Sequence, residues 1–252
     1  MKKAEIHNLK AMDYTGTEAL NTICSNLSFA GKNLKKVVFT SCSASDGKSF
    51  MTMQIAVNLA KCGKRVVLID ADLRRSVLVS RHHINLGDQP MGLVHYLAGH
   101  CNLEDILYET NIPNAYLIPV GRNTSNPLPL LNSPDFQRLL DYCAEQFDLV
   151  LLDAAPIGLV IDAAEIAKFC DGTVFVTRYR KTHARELALA KQQIEQANCA
   201  VIGCIINSVT MDTLSAKKNY SYSYYSHYNT SYYGNKDGEK DGKRSILRKR
   251  SK

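Results

Sequence analysis

The chain contains no uninterrupted apolar run of about 18 residues, the length a membrane-spanning helix requires. Met1–Lys10 also lacks the hydrophobic stretch of a secretory signal. Neither a spanning segment nor a recognisable export signal is predicted. No two of the 8 cysteines fall in a CxxC pair, the nearest in sequence being Cys199 and Cys204. Several sit inside apolar patterns, where a free thiol behaves as a small buried hydrophobe. A reduced, cytosolic protein is therefore expected rather than a disulfide scaffold or a zinc site. The segment from Tyr220 to Tyr233 has no Leu, Ile or Val, so its tyrosines cannot form a core.

At 252 residues and 45% hydrophobic content there is enough chain for one large core with appendages. The net charge of +7 is confined to the end: Lys217 to Lys252 carries ten Lys/Arg against three Asp/Glu, leaving twenty-one of each before it.

Val37-Val38-Phe39-Thr40-Ser41 is a β-branched apolar run that stops at Cys42-Ser43-Ala44-Ser45-Asp46-Gly47-Lys48-Ser49, and a helical pattern follows to about Cys62. Strand, small-residue loop and helix in that order form a phosphate-binding loop. Its backbone N–H groups and the helix N-terminus cradle phosphate, Lys48 reaches the β/γ-phosphates, and Ser49 offers a hydroxyl to Mg²⁺. The full pattern has a glycine five residues before Gly47, where this chain has Cys42. Cys42 reads as a small filler rather than a redox handle.

Two further apolar runs end in acids: Arg65 to Ile69 leads into Asp70-Ala71-Asp72-Leu73-Arg74, and Asp148 to Leu152 leads into Asp153. Residues at the carboxyl ends of parallel strands share one crevice, so Lys48, Ser49, Asp70, Asp72 and Asp153 can converge there. Three acids beside a phosphate cradle point to a magnesium site.

Elsewhere, Thr17 to Phe29 reads as an amphipathic helix and Asn26 to Lys36 as a polar connection. Ser76 to Gly92, with Arg81, His82 and His83, reads as an exposed loop, since no further metal ligands stand at sensible spacing. Gly92 to Leu97 and Leu103 to Tyr108 read as short helices, Ala115 to Val120 as a strand and Gly121 to Asn132 as a surface loop. Ser133 caps a helix to about Gln146, with Pro134 at its first position. Helices at Asp162 to Phe169 and Glu186 to Gln196 alternate with strands at Thr173 to Thr177 and Val201 to Ile206. Asn207 follows the last strand, placed either to touch a base or simply to end it. The alternation specifies an α/β fold with a doubly wound, mainly parallel sheet of the P-loop NTPase type. A disordered, Tyr-rich, basic C-terminal tail follows. The expected division is 1–35 for an N-terminal helix and connection, 36–208 for the P-loop domain, and 209–252 for the tail.

Tyr220, Tyr222, Tyr224, Tyr225, Tyr228, Tyr232 and Tyr233 lie within fourteen residues. They suit either stacking on nucleic-acid bases beside a basic run or phosphate acceptance.

From Thr17 to Tyr233 the chain resembles the bacterial tyrosine kinases of capsular and exopolysaccharide synthesis. The resemblance rests on the P-loop, the Val67-Leu68-Ile69-Asp70-Ala71-Asp72-Leu73-Arg74 segment, the Asp153 strand before Pro156, the Asn126-Pro127-Leu128-Pro129-Leu130-Leu131 loop and the tyrosine cluster. It implies an ATP- and Mg²⁺-dependent protein-tyrosine kinase that autophosphorylates the seven tyrosines. Ser45, Asp46, Gly47, Lys48 and Ser49 would hold the nucleotide, and Ser49, Asp70, Asp72 and Asp153 the metal. Lys48, Asp70 and Asp72 would be catalytic, Asp70 orienting the tyrosine hydroxyl and taking its proton late. The resemblance further implies a membrane-anchored modulator of the polysaccharide co-polymerase type, whose cytosolic end activates a kinase recruited to the inner face of the plasma membrane. A cognate tyrosine phosphatase and a homo-oligomer belong to the same picture; specific nucleic acid does not. The chain departs from the family in having Ala44-Ser45-Asp46 where Pro-Gly-Glu is usual. It also has Glu18, Asn21 and Cys24 where a glutamate and two arginines serve ring assembly. Partitioning-type ATPases carry a signature lysine where Ser43 stands here. Such an ATPase with a basic DNA- or membrane-contacting tail, and a catalytically degenerate regulator, are the alternatives.

From Ser208 to Tyr220 is twelve residues, about 20 Å r.m.s. for a flexible chain, so reach does not limit modification of the cluster. Full phosphorylation would add roughly −10 to −14 charges and invert the tail's sign.

Overall fold

A computed structural model describes residues 2–31 and 33–209, and Met1–Ser208 form one compact unit. The tail expected to be disordered, with its tyrosine cluster, lies outside the described residues.

Among the described residues nine strands form one sheet. In chain order they are β1 (Lys2–Ile6), β2 (Lys36–Thr40), β3 (Val66–Ala71), β4 (Ile84–Asn85), β5 (Tyr108–Thr110), β6 (Ala115–Ile118), β7 (Leu149–Ala154), β8 (Gly172–Arg178) and β9 (Val201–Asn207). Their order across the sheet is β4-β1-β5-β6-β3-β7-β2-β8-β9. The pairs are parallel except β1 with β4 and β5 with β6. β3 and β7 are buried along their whole length. That is why they read as continuous apolar runs rather than alternating ones.

Helices cover both faces, as a doubly wound sheet requires. On one face α1 (Tyr14–Phe29) and α2 (Lys48–Lys61) share a core with Phe39, Leu68 and Leu151. On the other, α4 (Leu93–Leu97), α6 (Pro134–Gln146), α7 (Asp162–Ala167) and α8 (Ala184–Gln196) pack around Ile69, Leu152 and Phe175. The short α3 (Leu78–Arg81) and α5 (Leu128–Leu131) complete the set. Ser133 caps α6 by accepting from Phe136 N, with Pro134 behind it. Gly63, at φ 84°, ends α2 in the left-handed conformation that suits glycine.

Several local expectations are corrected. β1 was not foreseen: KKAEI is short and polar, and only Ala4 and Ile6 of it are buried. Through β1 the 1–35 segment joins the same sheet. α1 starts at Tyr14 rather than Thr17 because Asp13 accepts from Gly16 N and caps it. Leu103 to Tyr108 is a single 3-10 turn, Leu103–Asp105, followed by β5. Tyr108 is fully buried there with its hydroxyl at Met91 O, 3.1 Å away, so tertiary packing decides against helix. Ser76 to Gly92 is not an open loop, since it holds α3 and β4. Within it His82 is 1% exposed, held between Asn8 O (3.0 Å from Nδ1) and the Phe50 ring. Gly121 to Asn132 contains α5, anchored by buried Leu131. At Cys24, in place of a family arginine, the side chain is buried against α2.

Candidate active site

The site lies along the carboxyl edge of β3, β7 and β2, three neighbouring strands. Asp70 on β3 pairs in register with Asp153 on β7, and Asp153 in turn with Phe39 on β2. Two carboxylates thus stand at one height on adjacent strands, immediately beside the loop leaving β2.

That loop ends at Gly47, φ 95°, which is the N-cap of α2. Ser45 is also left-handed, φ 66°, a conformation glycine adopts without cost. This accounts for a glycine at the corresponding place in the resembling family. Asp46 is buried; its Oδ2 accepts from Ser43 N (3.1 Å), so its carboxylate props the loop. Burial pushes the Asp46 carboxyl up. Its Oδ1 has no hydrogen-bond partner, while Lys181 Nζ approaches to 3.9 Å and donates to Ala44 O at 3.2 Å. From the end of β9, Asn207 Nδ2 donates to Asp46 O at 2.9 Å. Asn207 is thereby placed as a clamp on the loop's backbone. The segment after β7 seals the other flank: Ile157 N donates to Ser41 O (2.9 Å), and a Cβ on Gly158 would fall 2.1 Å from Cys42 O. Cys42 is a buried filler whose thiol burial raises to about 11, so it is un-ionised at neutral pH.

Inside this cradle Lys48 Nζ lies 2.5 Å from Asp153 Oδ1 and 3.3 Å from Ser49 Oγ. Asp70 is fully buried. Its Oδ2 accepts a short hydrogen bond from Ser76 Oγ, and its Oδ1 is buried with no partner. Desolvation, then the nearby Asp153 charge, raises the Asp70 carboxyl to about 7, against the opposing pull of Ser76 and Lys48. Asp72 accepts from Arg75 N at 3.0 Å, and burial raises it too, partly offset by Lys48. Arg74 forks onto buried Asp162 (Nε to Oδ2 2.6 Å, Nη2 to Oδ1 3.0 Å) and donates to Ser125 O at 3.2 Å. The structure therefore brings Lys48, Ser49, Asp70, Asp72 and Asp153 together.

Ser76, Lys181 and the Arg74–Asp162 pair were not singled out from sequence. Arg74 stood in the Asp70-Ala71-Asp72-Leu73-Arg74 run, but nothing local marks Asp162, 88 residues on, as its partner.

Among the described residues no three His, Cys, Asp or Glu side chains form a ready-made cation cage. Magnesium does not need one, because it keeps several waters and is held by one or two carboxylates together with substrate phosphates. The orphaned, buried Asp70 Oδ1 beside Asp153 and Lys48 suits an ion that arrives with a nucleotide.

A family model described as an AAA domain matches residues 35–169. The chain is 37% identical to Tyrosine-protein kinase CpsD of Streptococcus agalactiae over 210 residues, covering 83% of this chain and 91% of that protein. The chain belongs to the bacterial tyrosine-protein kinases. Among solved structures, the kinase domain of Escherichia coli tyrosine kinase ETK superposes with a TM-score of 0.72 at 28% identity, covering 82% of this chain and 84% of that one. The septum site-determining protein MinD complexed with Mg-ADP from Pyrococcus horikoshii OT3 is also similar. Its TM-score is 0.57 at 21% identity, over 69% of this chain and 70% of that one, a likeness of fold. The bacterial tyrosine kinase family and the P-loop type of doubly wound sheet, both read from the sequence, are borne out. No helix among the described residues of this tyrosine-kinase family member is long and apolar enough to cross a membrane.

Proposed function

We propose that the chain transfers the γ-phosphoryl group of Mg-ATP to tyrosine hydroxyls, those of its own Tyr220, Tyr222, Tyr224, Tyr225, Tyr228, Tyr232 and Tyr233 included. The observation that carries this reading is the meeting of Lys48 with three strand-end acids beside one phosphate loop. Phosphoryl transfer needs little covalent help from a protein; it needs positioning and charge neutralisation. Ser45, Asp46 and Gly47 shape the cradle, and Lys48 exchanges Asp153 for the β/γ-phosphate oxygens. Ser49, Asp70, Asp72 and Asp153 would hold Mg²⁺, which when bound supplies neutralisation of phosphate charge. Asp70 orients the acceptor hydroxyl and takes its proton late.

In the cell the reading is regulation of capsular or exopolysaccharide synthesis. A membrane-anchored modulator recruits and activates the kinase at the inner face of the membrane, a phosphatase reverses the mark, and copies of the chain associate. The family membership supports it. The test is to incubate purified full chain with Mg-ATP and map phosphotyrosine by mass spectrometry. Modification within Tyr220–Tyr233 that Asp70→Asn abolishes supports the proposal. Phosphate release with unmodified tyrosines, in the presence of the modulator's cytosolic segment, refutes it.

A further inference from the structure

The sheet order fixes the direction from which an acceptor can approach, and a groove opens on that side. Along the carboxyl edge the strands run β6-β3-β7-β2-β8-β9. The phosphate loop leaves β2, and from its far side it is gripped by Asn207 at the end of β9 and Lys181 after β8. Lys48 and Asp153, over β7, mark the inner end of the cradle. In a phosphoryl transfer the attacking and leaving oxygens are roughly in line. A nucleotide held over β2 therefore leaves only the β3 and β6 side open to the nucleophile.

Beyond Asp70 on that side the chain leaving β6 emerges one strand spacing, about 4.8 Å, from the chain leaving β3; Ile118 and Ile69 are register partners. The segment that follows β6 is fastened to the acid-bearing loop by Thr124 N to Leu73 O (2.8 Å) and Arg74 Nη1 to Ser125 O (3.2 Å). Between this segment and α4 lies a groove of about 410 Å³, within the usual range for ligand sites. Val94, Ala98 and Leu130 give it an aliphatic floor; Arg122, Asn123 and Asn126 give it a polar rim whose single charge is positive.

We propose that this groove is the acceptor-peptide site of the kinase, taking an extended, polar, tyrosine-bearing segment without charged side chains, the composition of residues 219–234. An aliphatic floor accepts the face of a phenol ring. The amide rim can donate to and accept from peptide bonds, and the guanidinium donates to carbonyl oxygens. The Thr124 and Arg74 tethers hold the groove at a fixed offset from Asp70. The proposal rests on the kinase reading above and specifies its substrate determinants.

The test uses the full chain and a synthetic peptide of residues 219–234 as acceptor, with initial rates read by mass spectrometry, which separates the peptide from the chain's own tail. Ala98 and Arg122 are both exposed, so Ala98→Phe, which fills the floor, and Arg122→Ala can be made without disturbing the core. Ala98→Phe is expected to raise the peptide KM about tenfold, and Arg122→Ala about threefold to tenfold, with partial recovery in Arg122→Lys. The dissociation constant of a fluorescent ADP should stay where it is. A peptide KM unmoved by Ala98→Phe, in an enzyme that still phosphorylates, overturns the groove alone. A wild-type chain that never makes phosphotyrosine overturns the kinase reading and the groove with it.

Discussion

Lys48 Nζ and Asp153 Oδ1 form a buried ion pair at 2.5 Å, their side chains 7% and 1% exposed. Each charge neutralises the other, so on the proposed function a triphosphate has to draw the ammonium away from the carboxylate. Removing one partner of such a pair strands the other, at a cost of about 3–5 kcal/mol. Lys48→Met and Asp153→Leu should therefore each lower the urea midpoint. Lys48→Met combined with Asp153→Leu should lose much less than the sum, although neither it nor Lys48→Met binds nucleotide. Strict additivity in urea titrations of the nucleotide-free chain is the result this account does not allow.

Asp70 makes stability depend on pH in a specific direction. Its folded carboxyl titrates at about 7 against a usual value of 3.8. Between those values the native state therefore holds a proton that the unfolded chain releases. The stabilisation from this proton is complete below about pH 4 and is lost as pH rises through 7. Asp70→Asn removes the titration. With metal chelated, the stability of Asp70→Asn relative to wild type should rise from pH 5 to pH 8 by on the order of a few kcal/mol. On the proposed role of Asp70 the same substitution is expected to abolish phosphotyrosine. A difference in urea midpoint that is equal at both pH values would show that Asp70 is not titrating there.

How much of this was legible beforehand differs by element. β3 and β7 announced themselves because strands buried on both faces must be apolar throughout, so the acids that end them stand out. Lys48, Asp70, Asp72 and Asp153 could be gathered from the parallel topology alone. β1 and β5 are short and lie toward one side of the sheet. Their burial depends on partners elsewhere in the chain, such as Met91 for Tyr108, and no local period encodes that. The same holds for His82, which looks like a surface residue until Asn8 and Phe50 close over it. The supports of the site escaped for a related reason. Ser76 lies six residues from Asp70, but Asp162 is 88 from Arg74 and Asn207 is 161 from Asp46; of these only Asn207 stands out in the sequence, and its partner does not.

Gly47 cannot carry a side chain. Its φ is 95°, and a Cβ there would lie 1.9 Å from Asn207 Nδ2. Gly47→Ala therefore meets both backbone strain and a displaced clamp, and should weaken ADP binding about tenfold to a hundredfold. Asn207→Ala loses the single hydrogen bond to Asp46 O and should weaken it about threefold to tenfold. If the clash is real, Gly47→Ala with Asn207→Ala binds ADP better than Gly47→Ala alone, since the obstruction is gone and only the φ strain remains. Titration with a fluorescent ADP measures all three, and a double variant worse than both singles contradicts the clash.

Arg74 ties the acid-bearing loop to α7 by a two-point fork on Asp162, and to the groove segment through Ser125 O. Asp162 is 1% exposed, so Arg74→Ala leaves a buried carboxylate alone, a loss of about 3 kcal/mol. Arg74→Lys keeps the charge but cannot make two parallel N–H bonds to one carboxylate and a third to a carbonyl. It should recover part of the stability yet still lower kcat about tenfold, because Asp72, on the loop that follows β3, is no longer held in place beside Asp70. Arg74→Met with Asp162→Leu separates the two effects: the apolar pair restores folding and the urea midpoint, while phosphotransfer stays low for want of the Ser125 tether. Equal recovery of stability and kcat in that double variant would mean that the fork serves the fold alone and does not position the acids.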